Sequence, residues 1–233
     1  MDKVLPIWGD IAKRPIIWTG KNAHMGSYPI ANNTQLNVAC FLRDKKEWPT
    51  PNRHVIEASK TEMIDAFSEF SPALRVLLKI APDQHSCWGL FDTFDEPLLT
   101  YATGSVVLAG DSAHASTPHH GLGAAMGVED ALFLVALLDE VASHRHAGGK
   151  TSTPKAIREA FQVYDQVRRP RTQEVVAFSR RQGQLVKGEV LAVDDDHSKF
   201  KADITARLSK MHAYDCAKEV NAAVGILQDR LRK

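Results

Sequence analysis

Apolar residues along this chain recur with two different periods, and the changes of period mark out its elements. Leu36, Val38, Cys40 and Leu42 alternate with Asn37, Ala39 and Phe41, the period of two that a strand requires. The preceding Ala-Asn-Asn-Thr at 31–34 supplies residues that tolerate positive φ in a tight turn, so 23–42 is predicted to be a β-hairpin. Residues 86–92, SCWGLFD, are strand-like. The run SVVLA at 105–109 is continuously apolar, which suits a strand buried on both faces. Ser59 and Glu62 form a capping-box pattern ahead of Met63, Phe67 and Phe70. Ser71-Pro72 opens a second short helix carrying Leu74, Leu77 and Leu78. From Gly123 to Val141 the helical pattern is apolar nearly all round, through Met126, Val128, Leu132, Val135 and Leu138, and predicts a deeply buried helix. After a loop at 143–153, a helix begins at Thr153-Pro154 with Ile157, Phe161 and Tyr164 on one face. Pro170 is expected to kink or end it, with a further helix running to about Lys187. VDDDHS at 193–198 reads as a solvated acidic turn, followed by one last helix over 199–231. The predicted class is α+β: a β-sheet with short helices over 1–103, a strand-loop-helix over 104–142 and C-terminal helices over 143–233.

Composition narrows the function classes. Hydrophobic residues make up 44% and charged residues 24% of the 233, the balance of a soluble globular protein. A net charge of +1 favours neither nucleic acid nor an anionic membrane surface. No apolar run reaches the roughly 20 residues of a membrane span, and MDKVLPIWGDIAKRP has no signal-peptide core. A cytoplasmic location is expected. Cys40, Cys87 and Cys216 form no CxxC pair and read as free thiols of a reducing compartment.

The segment with most chemistry is GDSAHASTPHHGLGAAMGVEDA, residues 110–131. An apolar strand runs into Gly110-Asp111, and a loop leads to Gly121-Leu122-Gly123 and a helix. Glycines let backbone approach a flat ligand, and the first amides of a helix favour an anion or an electron-rich ring edge. A carboxylate at a strand's carboxyl end can accept from a sugar hydroxyl. The same residues also suit a plain turn with Asp111 as a helix cap, and spacing alone leaves both readings open. His114, His119 and His120 fit no standard metal-ligand spacing, so no metal is expected. No GxSxG or Cys-His signature supports a hydrolase. Arg168, Arg169 and Arg171 read as a basic turn on a solvated helix.

Residues 110–131 closely resemble the GD motif of the single-component FAD-dependent aromatic hydroxylases of the salicylate hydroxylase type. HMGSYPI with LNVACFLRD resembles that family's H-x-x-x-YP-I hairpin, CWGLFD and YATGSVVLAGDSAH its approach to the GD strand, and YDQVRRPRTQEVVAFSRRQG its Y-x-x-x-R-x-P-R helix. The resemblance covers roughly residues 15–190. It implies that Gly110 and Asp111 contact the ribityl side of FAD, that Gly121, Leu122 and Gly123 face the flavin's pyrimidine end, and that Pro118 lies beside the ring and the substrate. The implied chemistry is hydroxylation of a phenol or an aromatic, polyketide-like acid, with NAD(P)H as reductant.

Three features depart from the family. The chain has no GxGxxG strand-turn-helix to hold the FAD pyrophosphate, and Met1 falls just before the substrate-domain hairpin. Ala125 and Met126 stand where the fungal motif has a glycine and often a polar residue, and Leu122 is bulkier than alanine. The 105–109 strand and the 123–141 helix are then expected to need cover from a homodimer or a separate N-terminal-half subunit. Two alternatives follow. One is a flavin-independent cyclase, isomerase, dehydratase or decarboxylase using His24, Tyr28, Asp111, His114, His119 and His120. The other is a non-catalytic partner subunit. His24, Tyr28, His119 and His120 are the catalytic candidates, and His120 is the first to test because His114 and His119 also occur in the redox family's motif.

Overall fold

A computed structural model describes residues 1–43, 47–190 and 196–233. Residues 193–195 of the expected acidic turn lie outside the described residues. The fold is α+β. Its contacts group the chain into two compact units, Met1–Leu90 with Gly183–Phe200, and Phe91–Gln182 with Lys201–Lys233.

The first unit opens with α1 (Leu5–Trp8), a 3-10 turn and β1 (Ile16–Gly20). β1, β2 (Ala23–Ile30) and β3 (Gln35–Leu42) form an antiparallel sheet in that order, with His24 opposite Phe41 and Tyr28 opposite Asn37. The β2–β3 hairpin is the one predicted, and Ala31, Asn32 and Asn33 in its turn all have positive φ. Alternation sends Ala23, Met25 and Ser27 inward, where Met25 meets a core of Val4, Trp8, Phe67, Leu74, Leu77 and Leu78. β4 (Val55–Ser59) pairs with β5 (Gln84–Trp88). Between them, α2 (Lys60–Ala66) begins at the complete Ser59–Glu62 capping box, and α3 (Pro72–Lys79) starts under Ser71. The unit is closed by its later segment: Asn22 N–H donates to Lys187 O at 2.9 Å, and Arg43 pairs with Glu189 at 3.6 Å.

In the second unit, β6 (Ala102–Thr103) and β7 (Val106–Val107) form a two-residue ribbon. The predicted strand at 105–109 is therefore much shorter, and it is not buried on both faces: Val106 is 66% exposed. Its only ladder partner among the described residues is β6. After the single turn α4 (Asp111–His114) come α5 (Gly123–His146), α6 (Thr153–Val186), α7 (His197–His212) and α8 (Cys216–Leu231). Phe133, Leu137 and Val141 of α5 pack with Ala160, Val163 and Tyr164 of α6 and with Ala223 and Leu227 of α8.

Three expectations are corrected here. α5 is not buried all round: Val128 and Val135 are 71% and 66% exposed, and Leu132 and Leu138 share that outward stripe. Pro170 lies inside one continuous α6. Pro170 and Gln166, whose carbonyl the proline ring leaves without its helical donor, both face outward, where water can satisfy that oxygen. The final helix is two, because Asp215 accepts from Lys218 N–H at 3.0 Å and starts α8 afresh. Among the described residues no helix is long and apolar enough to cross a membrane.

Candidate functional site

The turn after β7 is shaped by a glycine. Gly110 adopts φ 60°, ψ −146°, a combination open essentially to glycine. Its carbonyl accepts from Ala113 and His114 N–H, which closes α4. One turn of helix then sorts the side chains: Asp111 and Ser112 face out, Ala113 and His114 face in. Pro118–His120 form a 3-10 turn with Pro118 exposed. It ends at Gly121 in the left-handed region, φ 64°, with open space where a Cβ would stand. Leu122 is half-buried and offers no side-chain cap to α5. The first bond of α5 runs from Met126 N–H to Leu122 O, so the amides of Gly123, Ala124 and Ala125 precede it, beneath side chains no larger than methyl.

Beneath this outward surface lies a buried ionic network that sequence reasoning missed. Asp130, fully buried, accepts from Gly110 N–H at 2.8 Å, from His114 Nε2–H at 2.6 Å and from Arg168 Nε at 2.8 Å. Arg168 also pairs with Glu129 at 2.8 Å and donates to Tyr214 Oη at 3.0 Å and to Met126 O at 3.3 Å. Burial alone would raise the Asp130 carboxyl, but the hydrogen bonds from His114, Gly110 and Arg168 outweigh it and hold the group below its ordinary range. Arg168 is thus not on the solvated basic turn expected of it: it is 0% exposed, its charge matched by Asp130 and Glu129. A usable signal was present, since Arg168 follows Tyr164 by four residues and shares its inward face.

His119 and His120 stand in the same unit. His120 Nε2 donates to Phe178 O at 3.2 Å, and burial together with the Arg207 charge lowers its pKa. The loop is held on either side by Thr93 N–H to Ala115 O at 3.1 Å and by Ser179 hydroxyl to Thr117 O. Arg180 grips the buried Asp92 with two bonds and lies over Phe94, fixing the strap that carries Thr93. His24 and Tyr28 belong to the first unit, on one face of β2 with Gly26 between them. His24 is buried and stacked on Phe41 at 4.4 Å, whereas Tyr28 is exposed. Two of the cysteines are held as thiols: burial pushes Cys40 up to about 12 and raises Cys216 as well.

The outward set of backbone amides, the Asp111 carboxylate and Pro118 is suited to holding a group. It carries no activated nucleophile of its own. An anionic ring edge fits the amides before Met126, and a hydroxylated chain fits Asp111. The 233 residues contain no Gly-rich turn for a pyrophosphate, so the fit extends to the flavin end of FAD only.

Comparisons with known proteins agree with this geometry. The family described as FAD binding domain matches residues 56–179. The chain is 38% identical over 198 residues to the FAD-dependent monooxygenase orf3 of Aspergillus niger, covering 84% of this chain and 45% of that protein. It is 41% identical over 167 residues to the salicylate hydroxylase asL1 of Sarocladium schorii, covering 70% of this chain and 35% of that one. Among solved structures, a salicylate hydroxylase substrate complex superposes with a TM-score of 0.81 at 30% identity, over 92% of this chain and 50% of the other. The chain spans less than half the length of the curated relatives it matches. These relatives do not favour the flavin-independent alternative. With 124 of its 233 residues matched and the GD turn and its helix inside that match, the chain belongs to the FAD binding domain family.

Proposed function

We propose that this chain is the substrate-domain and GD-side portion of an FAD-dependent monooxygenase that hydroxylates a phenol or an aromatic, polyketide-like acid. The observation that carries this reading is the outward Gly110-Asp111 turn beside the open N-terminus of α5, within a stretch matched by the FAD family. When bound, FAD supplies the redox chemistry of oxygen insertion, with NAD(P)H as the electron source. Asp111 would hold FAD by accepting from a ribityl hydroxyl, and Gly121, Leu122 and Gly123 would offer backbone to its pyrimidine edge. Pro118 borders the ring. His120 stays neutral, because burial and Arg207 disfavour its cation, and its Nε2–H is committed to Phe178 O. It therefore holds the loop through that hydrogen bond. Tyr28, exposed on its sheet face, is the candidate to meet a substrate hydroxyl.

The outward stripe of Val128, Leu132, Val135 and Leu138 is covered in the working protein by a dinucleotide-binding portion of the family fold, or by a second copy of this chain. The relatives, more than twice as long as the matched segments, support the first of these. The test is the 300–550 nm spectrum of the purified chain with FAD before and after dialysis, alone and with a dinucleotide-binding half from a relative. Retained yellow colour in either mixture supports the reading. A folded chain that stays colourless in both overturns it.

A further inference from the structure

The flavin-side turn is held from behind by Asp130, a residue that the proposed contacts do not include. Its carboxylate takes three donors from three segments. Gly110 N–H belongs to the turn itself, His114 Nε2–H to α4, and Arg168 Nε to α6, while Asp130 sits on α5. α5 lies close by: a Cβ on Gly127 would stand 3.9 Å from Gly110 Cα. The carboxylate can only accept, and all three neighbours can donate, so each hydrogen-bond role is fixed. His114 is held with its proton on Nε2, its Nδ1 buried with no hydrogen-bond partner among the described residues. Arg168 fixes the carboxylate in turn. Its remaining nitrogens reach Glu129, Met126 O and Tyr214 Oη, and Arg171 lies over the Tyr214 ring at 4.1 Å.

We infer that Asp130, oriented by Arg168, is a positioning residue for the cofactor: it fixes the Gly110 amide, and through it the direction in which Asp111 leaves the turn. This rests on the flavin reading above for the identity of the ligand, and on the hydrogen bonds alone for the turn. Asn at 130 keeps the shape but turns one acceptor into a donor facing donors. Lys at 168 keeps the charge but loses the planar fork.

The experiment uses the full chain as wild type, Asp130→Asn, Arg168→Met, Arg168→Lys and Leu227→Ala. The last opens the core of the same unit without touching the network. Hydrogen exchange at the Gly110 amide and FAD affinity by fluorescence quenching are both read well below each variant's melting temperature. Asp130→Asn is expected to speed Gly110 exchange at least tenfold and to weaken FAD at least tenfold. Arg168→Met should do the same, Arg168→Lys should recover part of the loss, and Leu227→Ala should leave both near wild type. Unchanged exchange in Asp130→Asn, or an equal FAD loss in Leu227→Ala, overturns the inference. If Asp130→Asn does not fold, the Arg168 pair decides by the same criterion. A wild-type chain that quenches FAD neither alone nor with the dinucleotide-binding half counts against the flavin reading, and the exchange data still decide whether Asp130 sets the turn.

Discussion

Gly110→Ala isolates a backbone cost that most substitutions mix with packing. The residue sits at φ 60°, ψ −146°, and a Cβ there would meet no atom within 4 Å. Steric overlap therefore contributes nothing, and what remains is the strain of an L-residue in a glycine-only region, about 1–3 kcal/mol. Alanine also restricts the unfolded chain, which returns about 0.4–1 kcal/mol. The net expectation is a loss of about 1–2 kcal/mol. Gly121 is the matched comparison. Its Cβ position is equally open, but φ 64°, ψ 19° is the ordinary left-handed well. Gly121→Ala should thus cost less than Gly110→Ala, and Gly121→Asn less still, because Asn tolerates that well. At roughly 2–4 °C per kcal/mol, Gly110→Ala should lower the melting temperature by about 2–8 °C. The assay is thermal unfolding followed at 222 nm, where the long helices of the second unit dominate. Tryptophan fluorescence supplies the comparison, since Trp8, Trp18, Trp48 and Trp88 all belong to the first unit. A Gly110→Ala chain as stable as wild type, or Gly121→Ala as the costlier change, would refute the reasoning.

Three further outcomes are expected. Burying Val128 and Val135 of the α5 stripe is worth about 1 kcal/mol each, ~2 kcal/mol together, so Val128→Lys with Val135→Lys should weaken association with a covering partner by about thirtyfold or more in sedimentation, while shifting the chain's own stability by no more than about 0.5 kcal/mol. Asp130 and Asp92 are held below the usual carboxylate range in the fold, so their contribution is full above about pH 4 and is lost as pH falls through their folded values; a melting series should show the drop there, and Asp92→Asn should flatten part of it. His120 is shifted the other way relative to its charge: its neutral form is favoured in the fold, so its contribution is present above about pH 6.5 and declines below it, and His120→Gln, which keeps a donor for Phe178 O, should remove that slope while leaving the one near pH 4.

Local chemistry was legible in the sequence, and long-range pairing was not. The Ser59–Glu62 box, the Ser71-Pro72 start and the 31–34 turn each rest on interactions within a few residues, and each appears as expected. The GD segment was recognisable from residue order, and Gly110, Gly121 and Asp111 stand as a surface that could meet a flat ligand. Arg168 was misread because RRPR looks like a solvated basic turn, despite its four-residue spacing from Tyr164, and its partner Asp130 is 38 residues away in sequence. That α5 lacks part of its cover was expected from the resemblance, but which residues form its bare face was not read, because the helix is apolar nearly all round. β1 was missed because Ile16, Ile17 and Trp18 run together without alternation.

The order of residues in the first unit has a consequence for biosynthesis. Asn22 and Arg43 of the hairpin segment are closed by Lys187 and Glu189, which the ribosome adds some 145–165 residues later. At roughly 5–20 residues per second that is a delay of about 7–33 s, during which the hairpin has emerged while the whole internal stretch 91–182 is still being made. The second unit waits longer still, since its core also draws on α8 from Lys201–Lys233, added after the first unit's last segment. Chaperone occupancy should therefore concentrate on the β1–β3 region until Lys187 and Glu189 have been added.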